Sequence, residues 1–233
     1  MKGFYCSLLV YSFSATLCAE TLTVGGSPLE IPAPDGYAKV TPQMDGAYRL
    51  GQQMGDPMND LLAFYVNDVD LPAAISGQVP VLERYFVLKV NKDLKGITVG
   101  NRDFAEIAQA TAQQNKEVLK SVEELLPDLM QDSSEGISKE FDIDFAMSIS
   151  QMVPLDPHLT TENVFSYSMY INYGVATGGA TENDVMAATT TFINVSGKLL
   201  FLYSYGPQED LEWTRSASKM WAIAIDSGNA QAP

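Results

Sequence analysis

Residues 186–206, MAATTTFINVSGKLLFLYSYG, decide the fold, because they read as two strands joined at Ser196 and Gly197. Over 186–195 and 198–206, apolar side chains alternate with polar or small ones, and a period of two sends each set to its own face of a pleated strand. A two-residue link joins antiparallel neighbours, so the pair is a hairpin. Upstream, VFSYSMYINYG (164–174) and EFDIDFAMSIS (140–150) repeat the alternation, with no helical stretch between them to make a parallel crossover. Four antiparallel strands follow. Downstream, Gly206 and Pro207 open a helix over 208–226, with Glu209 and Asp210 at the positive end of its dipole. Leu211, Thr214, Ser218, Trp221 and Ile225 form its inward row, flanked by Trp213, Ala217, Met220 and Ala224.

The upstream half adds the rest of the layers. LLAFYV (61–66) and ERYFVLKV (83–90) are dense in aromatic and β-branched residues and read as two more strands. Between them, Asp68, Asp70, Pro72 and Gly77 punctuate a long loop over 67–80. The spacing of Phe104, Ile107, Ala108, Thr111, Val118, Leu119, Val122 and Leu126 predicts a helix over 102–126, capped by Asn101 and ended by Pro127. TLTVGGSPLEI (21–31) reads as a hairpin with a glycine-led turn, and Pro42 opens a short helix over 42–54. The fold class is α+β, an antiparallel sheet of about six strands layered with helices.

The first residues, MKGFYCSLLVYSFSATLCAE, pair Lys2 with an apolar run ending in small residues, the form of a secretory leader cut after Ala19. Leu17 before Cys18 argues against a lipidated cysteine. Residues 20–228 are then one α+β domain and 229–233 a flexible tail. Cys6 and Cys18 leave with the leader, which removes disulfides, thiol nucleophiles and Cys-ligated zinc from the mature chain. No stretch of the mature chain reads as transmembrane, and the expected location is periplasmic or secreted. With 14 Lys plus Arg against 29 Asp plus Glu the net charge is −15, and loss of Lys2 takes it to −16. Such a surface repels nucleic acid, whose binding depends on neutralised phosphates.

The chemistry-bearing residues are sparse. His158 stands alone in PLDPHLT, and without a GxSxG elbow it reads as a loop residue rather than as a partner of Asp156 in a triad. Ser216 to Lys219 spell SxxK but lack the companion SDN and KTG motifs. YGVATGGATEND carries Gly174, Gly178 and Gly179 without a following GK[ST], and reads as a flexible connection. Asn194-Val195-Ser196 matches a glycosylation sequon. Two carboxylate pairs are the site-level candidates: Asp68 with Asp70 in a loop, and Asp142 with Asp144 on one strand face. Neither has the EF-hand spacing of a calcium loop. The alternation also puts Tyr167, Met169, Ile171 and Tyr173 on one face of their strand, with Ser166, Ser168, Tyr170 and Asn172 on the other. That Tyr row is core if covered, and a contact surface for protein or glycan if left open. No catalytic residue, cofactor or metal is expected.

The pieces VGGSPLEIPAPDGYAKV (24–40), TVGNRDFAEIA (98–108) with the helix it opens, and VSGKLLFLYSYGPQEDLEWTRSASKMWAIAIDS (195–227) resemble the PsbP / Mog1 / DcrB-like group. The stretches 67–80 and 151–163 stand as insertions against that pattern. The resemblance implies a helix–sheet–helix sandwich used as a binding or accessory module, sometimes membrane-associated, without a shared catalytic centre. The expected function is a non-catalytic binding or accessory protein of the cell envelope whose partner is a protein or envelope component. The alternative is an extracytoplasmic hydrolase using Asp or Glu, calcium-dependent or not, and a third reading is a structural envelope protein.

Overall fold

The computed structural model describes residues 20–53 and 57–230, with the backbone alone over 114–125. The expected leader and the last three residues of the expected tail lie outside the described residues. In chain order the strands are β1 (Glu20–Val24), β2 (Ser27–Ile31), β3 (Tyr37–Lys39), β4 (Asn59–Asn67), β5 (Tyr85–Asn91), β6 (Phe145–Pro154), β7 (Leu159–Thr160), β8 (Val164–Thr177), β9 (Ala180–Val195) and β10 (Lys198–Pro207). The helices are α1 (Asp45–Gln53), α2 (Leu71–Ile75), α3 (Asn101–Phe141) and α4 (Leu211–Ala230), with 3-10 turns at 68–70 and 208–210.

β1 and β2 pair as a separate hairpin, while the main sheet runs β3-β4-β5-β10-β9-β8-β6, with β7 also pairing β8. Every pairing is antiparallel. The α+β class therefore stands, with eight strands in the main sheet instead of about six. β3 and β7 have three and two residues, too few to show a period.

Both faces of the sheet are covered. On one face α4 and the β1–β2 hairpin pack against Tyr65, Phe86, Leu88, Ile193, Leu200 and Leu202. Trp221 anchors this layer: its ring lies edge-on to Tyr65 and Phe86 at 5.2 and 5.4 Å, and its Nε1 donates to the Pro32 carbonyl at 2.8 Å. On the other face Phe104 and Ala108 of α3 cover Phe165, Tyr167, Met169 and Ile171, and α1 and α2 cover Phe64, Val66 and Val87.

Hydroxyls fix how the helices sit. Thr214 and Ser218, one turn apart on α4, meet Thr189 and Thr191 of β9 at 2.9 and 2.7 Å. The match works because one helical turn of about 5.4 Å is close to the span of two strand residues, about 6.6 Å. Ser168 and Ser166 of β8 extend both lines under the sheet. α3 uses the same spacing at the sheet's edge, where the hydroxyls of Ser138 and Ser134 accept from the Phe145 and Met147 amides at 3.2 and 2.9 Å. Those two outward amides of β6 are thereby closed to strand addition.

Several elements differ from the sequence reading. α3 begins one residue earlier, with Gly100 as its cap and the Asp103 carboxylate accepting from the Gly100 amide at 3.1 Å. It also runs through Pro127 to Phe141. An interior proline costs a helix roughly 3 kcal/mol, and tertiary contacts beyond it offset that cost: Ile137 is buried, and Arg49 of α1 bonds Glu140 at 3.1 Å while lying 4.9 Å over the Phe141 ring. The strand expected from 140 consequently starts at Phe145. Gly178 and Gly179, both at positive φ, form the turn of a β8–β9 hairpin instead of a flexible connection. The 67–80 loop contains the 68–70 turn and α2, and 151–154 belong to β6. α4 extends to Ala230, two residues into the expected tail, because the Asn229 side chain bonds both the amide and the carbonyl of Glu30.

Candidate functional site

Topology decides first which carboxylates can meet. Asp68 and Asp70 follow β4, and Asp142 and Asp144 precede β6; in register Val66 falls in line with Tyr85, Tyr205, Ala188, Met169 and Pro154, so β6 begins nine residues farther along the strands than the level at which β4 ends. Four strands, β5, β10, β9 and β8, lie between β4 and β6. A hydrolytic carboxylate pair needs roughly 5–10 Å. Asp68 is exposed and Asp70 half-buried in a 3-10 turn whose start is capped by Asn67, its Oδ1 accepting from the Val69 amide at 3.1 Å. Asp142 and Asp144 do not share a strand face: Asp142 is the left-handed C-cap of α3 at φ 52°, a conformation Asp tolerates better than most residues, and Asp144 lies in the link to β6. Among the described residues, no group of three or more His, Cys, Asp or Glu is placed to hold a metal ion.

The Tyr row resolves as core. Tyr167 is buried with Phe165, Met169 and Ile171 under α3, and burial pushes its hydroxyl pKa up. Tyr173, farther along β8, is half-buried, with its pKa raised by burial and then by Asp184. Tyr85 and Tyr205 stack at 4.7 Å on the same face. The opposite row of Ser166 and Ser168 is buried as well, under α4. His158 is exposed beside the sheet's edge, its amide donating to the Ser166 carbonyl at 3.0 Å. Partial burial, then the Arg215 charge, lower its pKa, against the opposing pull of Glu212. Ser216 and Lys219 are exposed on the outer side of α4. Asn194 is buried and its Nδ2 donates to the Val99 carbonyl at 3.0 Å, which withholds from a glycan the atom it would need.

Two surface features remain. One is a groove of about 830 Å³ between α3 and β6, walled by Leu126, Pro127, Met130, Met147 and Ile149. Two of its hydroxyls, those of Ser134 and Ser138, are committed to the β6 backbone.

The other is the β4–β5 connection, 68–83, most of which falls in the long loop expected over 67–80. Leu71 and Ala74 of α2 turn inward onto Phe64 and Val87, while Val69, Pro72 and Ile75 lie on the outer side. A spacing of three along a helical segment makes the outer trio one ridge. Val69 is 80% exposed, Ile75 63%, and beyond α2 Val79 is 44% and Val81 74% exposed. The segment is held firmly from beneath. Gly46 of α1 lets the 77–78 backbone approach so closely that a Cβ there would lie 2.6 Å from the Gly77 carbonyl oxygen. Arg84 closes the far end, bonding Asp210 through two nitrogens at 2.6 and 2.9 Å and lying 4.9 Å over the Trp213 ring. The signal was present in LPAAI (71–75), which is apolar all round and so has a second face to cover.

No helix among the described residues is long and apolar enough to cross a membrane. No family model matches the chain. No curated protein matches it. Among solved structures it is similar to the solution structure of cyanobacterial PsbP (CyanoP) from Synechocystis sp. PCC 6803, with 11% identity over 94% of this chain and 96% of that one and a TM-score of 0.30. The likeness transfers no residue role and no activity to this chain.

Proposed function

We propose that the protein is an exported, non-catalytic binding or accessory module of the cell envelope, which docks a protein partner on the 68–83 surface. The observation that carries this reading is the row of exposed aliphatic side chains, Val69, Ile75, Val79 and Val81, on a segment packed against α1 and followed by the Arg84–Asp210 pair. Exposed apolar clusters rimmed by polar residues mark interaction sites in soluble proteins. The leader-like start supports export, and the four strands between the carboxylate pairs, with the offset along them, disfavour a hydrolase that would use both.

Affinity capture from envelope extract with the wild-type protein and with Val69→Ser/Ile75→Ser tests the reading. A partner retained by the wild type and lost by the variant supports it. Equal recovery by both, or a turnover abolished by substituting Asp68 or Asp142, contradicts it.

A further inference from the structure

Resting on that docking reading, the charges around the ridge narrow the class of partner. Asp68, Asp70 and Glu83 border Val69, Pro72, Ile75 and Val81 along the chain, and none of the three carboxylates is held in an ion pair among the described residues. The adjacent cation, Arg84, is engaged by Asp210 and Trp213. Glu83 is also attracted by Arg84, but three carboxylates against a cation already paired with Asp210 leave the apolar ridge flanked by net negative charge. We infer that the 68–83 surface takes a cationic amphipathic polypeptide segment, whose aliphatic side lies on Val69, Pro72 and Ile75 and whose Lys or Arg side chains meet Asp68, Asp70 and Glu83. Opposite potentials across such a rim set the choice of partner and the rate of encounter, and the buried aliphatic contact sets most of the affinity.

Fluorescence anisotropy of a labelled helical peptide of leucine and lysine, with the matching leucine–glutamate peptide as control, tests this on the full chain. The lysine peptide binds and the glutamate peptide does not. Val69→Ser/Ile75→Ser weakens binding by at least about tenfold, the scale of two aliphatic side chains removed from an interface. Asp68→Asn/Asp70→Asn/Glu83→Gln weakens it by about threefold and flattens its dependence on salt, as rim charges do. Failure of the lysine peptide to bind, equal binding of both peptides, or an unchanged affinity in the charge variant overturns the cationic class; if Val69→Ser/Ile75→Ser still weakens capture of an envelope partner, the docking reading stands. Unchanged behaviour of Val69→Ser/Ile75→Ser in both assays overturns docking as well. Co-sedimentation with phosphatidylcholine vesicles, lost in that variant, overturns the polypeptide partner in favour of a bilayer. Because Val69 and Ile75 are mostly exposed, the variant melts with the wild type, so lost binding reports the surface and not the fold.

Discussion

Replacing Thr191 with Val should destabilise the protein more than replacing Thr189 with Val, although the two threonines occupy equivalent places two residues apart on β9. Thr191 bonds Ser166 on one side and Ser218 on the other, and neither serine has another side-chain partner. Both serines are fully buried. Thr191→Val therefore strands two hydroxyls at about 1–3 kcal/mol each, offset by about 0.8 kcal/mol for the added methyl group, a net loss of about 3 kcal/mol. In a protein of this size that is a fall in Tm of about 6–12 °C. Thr189 bonds Ser168 and Thr214, but Ser168 keeps the Arg215 Nε at 3.2 Å and Thr214 keeps the Leu211 carbonyl at 2.8 Å. Its loss removes two neutral hydrogen bonds without orphaning either partner, and after the methyl offset costs about 1 kcal/mol. The triple variant Ser166→Ala/Thr191→Val/Ser218→Ala leaves no stranded hydroxyl on that line and should recover to within about 1 kcal/mol of the wild type. Urea titration, with the slope unchanged so that midpoints compare directly, reads all three. Equal losses in the two single variants, or a triple variant weaker than Thr191→Val, would refute the reasoning.

Three further outcomes are expected. The imidazole of His158, the chain's one histidine, titrates below about pH 6.5 by NMR; Arg215→Gln raises its pKa and Glu212→Gln lowers it further, following the opposite signs of those two charges. Because the folded-state pKa is the lower one, the unfolded chain takes the proton first, so this residue's contribution to stability is complete above about pH 6.5 and is lost as pH falls through the lower folded value. Ser134→Ala/Ser138→Ala uncaps the Phe145 and Met147 amides, costing about 2–4 kcal/mol in urea titration and raising self-association in sedimentation velocity; unaltered sedimentation with unaltered stability would show the edge needs no cap. Gly46→Ala, despite the gain of about 1 kcal/mol in helix propensity, drives a methyl group into the Gly77 carbonyl and should lower stability by about 1–3 kcal/mol while speeding hydrogen exchange over 76–79.

What could be read from the chain depended on how local the deciding interaction was. The alternation in 164–174 and 186–206 placed β8, β9 and β10 and put Tyr167, Met169 and Ile171 on one face, because a half-buried strand writes its faces into successive residues. The inward row of α4 was equally legible, with Thr214, Ser218, Trp221 and Ile225 all buried. Met220, expected beside that row, is 61% exposed, and Ala222 takes the buried place, since the hairpin and sheet cover a narrower arc than composition suggests. The far half of α3 was illegible: Pro127, Gly136 and the serines at 133, 134 and 138 argue locally for an ending, and only the contact with β6 and α1 makes the helix continue. Asp142 was misplaced for the same reason. Of the candidate site, Asp68 and Asp70 were found but for their charge as possible metal or acid–base groups. Their proposed role as a rim follows from Val69, Ile75 and Val81, whose exposure depends on what α1 and Arg84 hold in place beneath them.

Hydrogen exchange on the purified protein, alone and bound to a partner recovered from envelope extract, tests the proposed docking surface directly. Slowed exchange concentrated in residues 68–83, with the α3–β6 groove unchanged, is the predicted result. Protection confined to the groove or to the exposed side of α4, with 68–83 exchanging as in the free protein, would contradict it.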